Sequence, residues 1–298
     1  MSCLVLHRDL WYSFFILFQV TALFLACYNK HEAIAVLLTE AGADPNITAN
    51  REDDSGVAET PLFQAAYEGM ELVCQLLLDR GAGLHLGKSP LHAAALGGRE
   101  DVCRLLLVRG ADINRLESGE SALYIAARWD WSTVCNLLLD QGARLDCGKS
   151  PLHAAVQMGR KTVCQLLLNC GINIDVLESG ESPLYAAAKT DAGAVVKLLL
   201  DRGAKLDAGK SYPLHAAACN FYGEAVCKML LDRGANVNTL ESGESALYVA
   251  AKERWTGGKT GEGVCRLLLD RGARLDVGKD PLGIKGLDQS IRNMLILL

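Results

Sequence analysis

One pattern constrains what this chain can fold into: a Val-Cys pair that returns at near-constant spacing. Cys74, Cys103, Cys135, Cys164, Cys227 and Cys265 each follow a valine, and Val196 stands where a seventh cysteine would fall. Successive steps in the numbering are 29, 32, 29, 32, 31 and 38, so short and long units alternate. Periods of this size mark a stacked-repeat architecture rather than one closed core. The segment from Ser89 to Asn114 shows the parts of a unit. Ser89 precedes Pro90, a hydroxyl N-cap followed by proline at the first helical position. "LHAAALG" predicts a short helix with small residues on one side, closed by Gly98. "EDVCRLLLVRG" predicts a second helix, with Val102, Leu105, Leu106 and Val108 on a buried face of i, i+3, i+4 spacing. Gly110 ends it as a left-handed cap. "ADIN" then leads into an extended finger and the next hydroxyl-proline start. One such helix pair is too small to bury its own apolar face, so the chain reads as an all-α repeat solenoid.

These residues carry a resemblance. "SPLHAA" followed by "VCRLLLVRGADIN" is similar to the ankyrin repeat, whose helical start is T-P-L-H-x-A-A and whose finger begins G-A-D-x-N. The start returns at Thr60-Pro61-Leu62-Phe63, Ser150-Pro151-Leu152-His153, Ser182-Pro183-Leu184-Tyr185 and Pro213-Leu214-His215. Without the proline it stands at Ser121-Ala122-Leu123-Tyr124 and Ser245-Ala246-Leu247-Tyr248. An earlier unit runs from Thr21 to Asn46, so the resemblance covers about residues 21 to 280, or about eight units. It implies an ankyrin-type helix-turn-helix stack with short β-hairpin fingers to one side. It also implies that His92, His153 and His215 hydrogen-bond neighbouring turns and are structural. No Cys or carboxylate stands at metal-ligand spacing from them.

Two finger types alternate. Long fingers carry "LESGES" at Leu116–Ser121, Leu177–Ser182 and Leu240–Ser245, and short ones carry Gly-Lys-Ser at Gly87, Gly148 and Gly209, with Gly278-Lys279-Asp280 as the variant. Long-finger units have Tyr124, Tyr185 and Tyr248 where short-finger units have His92, His153 and His215. "GARLDCGKS", Gly142 to Ser150, mimics a phosphate-binding loop, but five residues separate its glycines where G-x-x-x-x-G-K-[ST] needs four. The preceding "VCNLLLDQ" is too rich in leucine and too poor in β-branched residues to favour the strand such a loop follows. These segments read as shortened fingers, and no cofactor is expected. Gly258-Lys259-Thr260 fails likewise, because its first glycine would fall at Glu253.

The formal charge of −5 gives no basic field for nucleic acid. Eleven cysteines include no C-x-x-C pair, so they read as reduced core thiols in a reducing compartment, cytoplasmic or else nuclear. The pattern breaks in four places. Leu62 follows Gly42 by 20 positions, and the extra "TANREDDSGV" reads as an exposed loop; beside it Asn46-Ile47-Thr48 is a glycosylation sequon in a secreted protein. "ERWTGGKTGEG", Glu253–Gly263, interrupts the last complete unit, and Trp255 there either anchors a partner or folds back on its own helices. Residues 281–298 read as a degenerate capping unit whose "MLILL" end either packs on the stack or precedes further repeats. Residues 1–20 are apolar from Leu10 onward, and read as a cap helix or as a signal or membrane anchor.

No catalytic or metal-binding constellation is written here, so no enzyme is expected. The resemblance implies a protein-protein interaction scaffold that binds a partner on a concave face of fingers and first helices. Its alternatives are the sensor or targeting array of a larger signalling protein or ubiquitin ligase, and a membrane-tethered relative. The candidate contacts follow Ala-Ala in the first helices: Tyr67, Glu68, Leu96, Arg128, Trp129, Gln157, Met158, Lys189, Thr190, Asn220 and Lys252, joined by Trp131 and Trp255. These vary while the framework repeats. Arg128, Trp129 and Trp131 cluster in "AARWDWSTVC", and Trp and Arg are the types that dominate binding hot spots.

Overall fold

The computed structural model describes residues 21–49, 58–209, 212–220, 223–252 and 261–296. The apolar segment 1–20, the loop 50–57 and residues 253–260 with Trp255 lie outside the described residues. Two compact units divide between Lys149 and Ser150. The first holds four helix pairs: α1 (Ala22–Tyr28) with α2 (Glu32–Glu40), α3 (Pro61–Glu68) with α4 (Glu71–Asp79), α5 (Pro90–Gly97) with α6 (Glu100–Val108), and α7 (Ala122–Arg128) with α8 (Ser132–Asp140). The second holds α9 (Pro151–Gln157) with α10 (Lys161–Asn169), α11 (Pro183–Lys189) with α12 (Gly193–Asp201), α13 (Pro213–Ala218) with α14 (Glu224–Asp232), and α15 (Ala246–Lys252) with α16 (Glu262–Asp270). Within each unit first helices pack on first helices and second on second, as in α3 on α5 and α4 on α6. That is the stacked solenoid arrangement the repeat demands.

Most first helices start where a hydroxyl can cap them. Thr60, Ser121 and Ser182 accept from the amides of Phe63, Tyr124 and Tyr185 at 3.0, 3.1 and 3.2 Å. Each cap satisfies one of the amides a helix start leaves without an internal partner. At the far end of α6, Gly110 takes φ +88°, the left-handed turn that sends the chain into the finger.

The cysteine of each Val-Cys pair is fully buried, as at Cys103, Cys135 and Cys164. Burial pushes the Cys103 and Cys135 thiols up to about 12, because an apolar surrounding opposes the thiolate. The second-helix face differs from the expected one. In α6 it consists of Val102, Cys103 and Leu106; Leu105 is half-buried and Val108 is 79% exposed. Six residues at 3.6 per turn carry Val108 about 120° short of two full turns from Val102, away from the core. The buried stripe runs i, i+1, i+4.

Long fingers close as hairpins. β1 (Leu240–Glu241) pairs antiparallel with β2 (Glu244–Ser245), and single bridges join Glu117 to Glu120 and Glu178 to Glu181. Short fingers pair instead with the long finger before them. The amides of Lys88, Lys149 and Lys279 donate to Ala58, Gly119 and Gly243 carbonyls at 3.1, 2.8 and 3.1 Å. After a short 3-10 turn at Pro281–Gly283, α17 (Gln289–Ile296) packs against α16 and buries Ile291 and Leu295. Among the described residues no helix is long and apolar enough to cross a membrane.

Candidate functional site

The described short-finger lysines, Lys88, Lys149 and Lys279, are each paired. Lys149 Nζ lies 2.8 Å from Glu120 and 5.8 Å from the centre of the Tyr124 ring, both on the preceding long-finger repeat. Lys88 does the same with Glu59 at 3.0 Å and Phe63 at 5.9 Å, and Lys279 with Glu244 at 2.7 Å and Tyr248 at 5.7 Å. An ammonium held by a carboxylate over a ring face gains from both, since the ring's negative face attracts cations. The Lys279 pair holds the Glu244 carboxyl below its usual range. Backbone geometry completes the junction: a Cβ added at Gly148 would stand 2.3 Å from the Gly119 oxygen. The apparent phosphate loop is a seam between two fingers.

The opposite junction uses histidine. Nε2 of His92, His153 and His215 lies 3.0, 2.9 and 3.0 Å from the Glu120, Glu181 and Glu244 carbonyls on the next long finger. The carbonyl is an acceptor only, so Nε2 carries the proton. Burial holds His92 and His215 below the ordinary imidazole range. In the first unit the Ser89 amide also donates to the Glu117 carboxylate, and Arg115 donates to the Gly87 carbonyl at 3.0 Å. The Tyr–His alternation of the sequence is thus an alternation of two junction chemistries. No group of three or more metal-ligating side chains occurs among the described residues.

The Asn46 sequon is engaged too. Its Nδ2 donates to the Gly81 carbonyl at 3.1 Å and its Oδ1 accepts from the Gly83 amide at 2.8 Å. The nitrogen a glycan would need is committed to the neighbouring finger.

The candidate binding residues fall into two groups. In the first, side chains lock one repeat to the previous one. Trp131 is 39% exposed, yet its Nε1 donates to the Leu96 carbonyl at 3.1 Å, and a Cβ at Gly98 would meet its ring at 2.5 Å. Arg99, at the equivalent position, donates Nε to the Tyr67 carbonyl at 3.1 Å. Asn220 is half-buried and donates to the Ala188 and Lys189 carbonyls at 2.6 and 3.0 Å. Indole, guanidinium and amide all supply an N–H to carbonyls at the C-terminus of a helix of the previous repeat. The Trp131–Arg99 register, both just before a second helix, was the sequence signal for this role.

The second group is mostly exposed, apart from the half-buried Leu96 and the largely covered Glu68 side chain. Tyr67 is 38% exposed, Leu96 is half-buried, and Glu68 pairs with Lys30 at 2.8 Å. Arg128 is exposed and Trp129 is 48% exposed, and neither side chain has a hydrogen-bond or ion-pair partner among the described residues. In the second unit, Gln157 is exposed and Met158 is 45% exposed. Lys189 folds back on Glu181 at 3.1 Å over the Tyr185 ring, and Lys252 on Glu244 at 3.6 Å over Tyr248. Thr190 returns its hydroxyl to the Ala186 carbonyl at 3.1 Å.

A family model of ankyrin repeats in three copies matches residues 47–117, 62–147, 123–210 and 184–280, and a single-repeat model matches residues 19–50. The crystal structure of the human ASB11 ankyrin repeat domain is similar, with a TM-score of 0.64 and 32% sequence identity over 72% of this chain and 99% of that one. No curated protein matches the chain. Because 463 solved chains share the architecture, shape alone singles out no partner.

Proposed function

Since the chain belongs to the ankyrin repeat family, whose repeats are generally protein-protein interaction modules, we propose that it is a scaffold binding a protein partner through the exposed ends of its first helices. The observation that carries this reading is the Arg128–Trp129 step. Both side chains stand exposed with no hydrogen-bond or ion-pair partner among the described residues, while the equivalent Lys189 and Lys252 are folded onto their own fingers. A large amphipathic ring and a guanidinium held in water are what an interface centre uses. The stack already satisfies its core without them: Ala122, Leu123, Tyr124, Ala126 and Ala127 are the buried residues of the same helix. Buried reduced thiols such as Cys74 and Cys103 suit a reducing compartment, which favours the cytoplasm.

The test is Trp129→Ala in the full chain, with partners captured from a lysate, identified, and titrated individually. Partner affinity should fall by about 2 kcal/mol, or roughly thirtyfold, with an unchanged melting curve. Early unfolding would instead make Trp129 a packing residue, and unaltered binding would move the interface elsewhere.

A further inference from the structure

Arg99 and Arg128, near the ends of first helices on the first unit, pair with no carboxylate among the described residues. Other cations on the finger side of that unit are paired: Lys30 with Glu68, Lys88 with Glu59, Lys149 with Glu120. Arg128 occupies the position of Lys189 and Lys252, which reach the glutamate and ring of their own fingers. Arg128 does not follow them. Lys149, from the next short finger, holds Glu120 and stands over the Tyr124 ring, and Arg128 joins neither group. Arg99, one repeat earlier, commits only Nε, to the Tyr67 carbonyl. Its terminal nitrogens meet no carboxylate among the described residues. Half-exposed apolar surface lies with these cations: Tyr67, Leu96, Trp129 and Trp131. Asp130, which follows Trp129 and has no ion-pair partner among the described residues, is held at φ +69° where the preceding repeats place Gly69 and Gly98.

We propose that the ends of α3, α5 and α7 dock an acidic segment of a partner protein, with its carboxylates on Arg99 and Arg128 and an apolar side chain against Leu96 and Trp129. The inference deepens the protein-binding reading and rests on it. Charge complementarity selects the occupant. Two forked guanidiniums match carboxylates in geometry as well as charge, whereas a basic segment would meet their like charge. The chain as a whole carries −5, so the cationic surplus is local and opposes a long polyanion such as nucleic acid.

Short random peptides displayed on phage, selected on the immobilised full chain, test this. Selected sequences should be rich in Asp and Glu beside aromatic or aliphatic residues. For the best of them, Arg128→Glu should weaken binding about tenfold or more. Asp130→Asn should tighten it, by removing a like charge, and Arg104→Glu on α6 should leave it unchanged. Arg128→Ala, which adds no charge, should weaken binding in the same direction, and melting curves confirm that each variant is folded. A basic or uncharged consensus, or acidic peptides indifferent to Arg128→Glu, overturns the inference while leaving the protein-binding reading intact. So would tighter binding of a single-stranded DNA oligomer than of any peptide, lost on Arg128→Glu. A chain that selects no peptide and shows no Trp129-dependent partner overturns both readings.

Discussion

Gly148→Ala measures what the seam between fingers contributes. Gly148 sits at φ +70°, and a Cβ there would meet the Gly119 oxygen at 2.3 Å and Leu116 Cδ2 at 2.8 Å. Holding an L-residue in the left-handed region costs about 1–2 kcal/mol. The clash is with backbone, so one finger must move, and the 2.8 Å bond from the Lys149 amide to Gly119 is the first casualty. Losing it costs about 1 kcal/mol more. The Lys149–Glu120 pair, 43% and 24% exposed, adds only a few tenths of a kcal/mol, because water screens it. Gly148→Ala should therefore destabilise by about 2–3 kcal/mol. Gly142→Ala is the control: φ is +88°, but no atom lies within 4 Å of the added Cβ. It should show the conformational cost alone, about 1–2 kcal/mol. Urea unfolding of both variants, followed by far-ultraviolet circular dichroism, reads the difference. Equal losses would mean that the finger junction contributes nothing and that the seam is a geometric coincidence.

The same seam predicts that Lys149 binds no nucleotide: calorimetry with ATP should show no saturable heat, and micromolar binding abolished by Lys149→Ala would contradict the finger assignment. With a thiol reagent on the native chain, the exposed Cys170 and Cys219 should label fast and Cys103, Cys135 and Cys164 only on unfolding; rapid labelling of the latter three would show the buried stripe to be misassigned. Stability should fall on both sides of neutrality. Below pH about 6.5 the unfolded chain takes up protons on histidines that the folded chain keeps neutral at His92 and His215, so stability declines as pH drops. Above pH about 8.5 unfolded thiols ionise, while Cys27, Cys103, Cys135, Cys227 and Cys265 stay protonated up to about 12, so stability also declines as pH rises. A urea midpoint that stays flat across both windows would refute the burial argument.

The repeat, the caps and the finger types are legible in the sequence because each depends on neighbours close along the chain. Ser89 before Pro90 announces a helix start whatever surrounds it. The face of a second helix is less legible: apolar residues fill every position from Leu105 to Val108, and only stacking decides which turn inward. The Tyr–His alternation is visible as a pattern, but its meaning lies one repeat downstream, where Lys149 meets Tyr124 and Glu120 meets His92. Trp131 shows the same limit. Composition marks it as a contact residue, while its indole N–H already serves Leu96. Asn46, taken alone, is a sequon; beside Gly81 and Gly83 it is a strut.

The two junction chemistries also set the quantum in which such an array can grow or shrink. A short finger needs a glutamate and a ring behind it for its lysine, and a backbone oxygen within reach of its glycine. A long finger offers its carbonyl to the histidine of the repeat before it. Removing a single repeat would set like against like, leaving a lysine facing a histidine or two hairpin tips competing for one place. Removing two together, the stretch from Gly87 to Gly148 or from Gly148 to Gly209, restores every complementary neighbour. The heritable module is therefore the pair, and viable length variants should differ by even numbers of repeats.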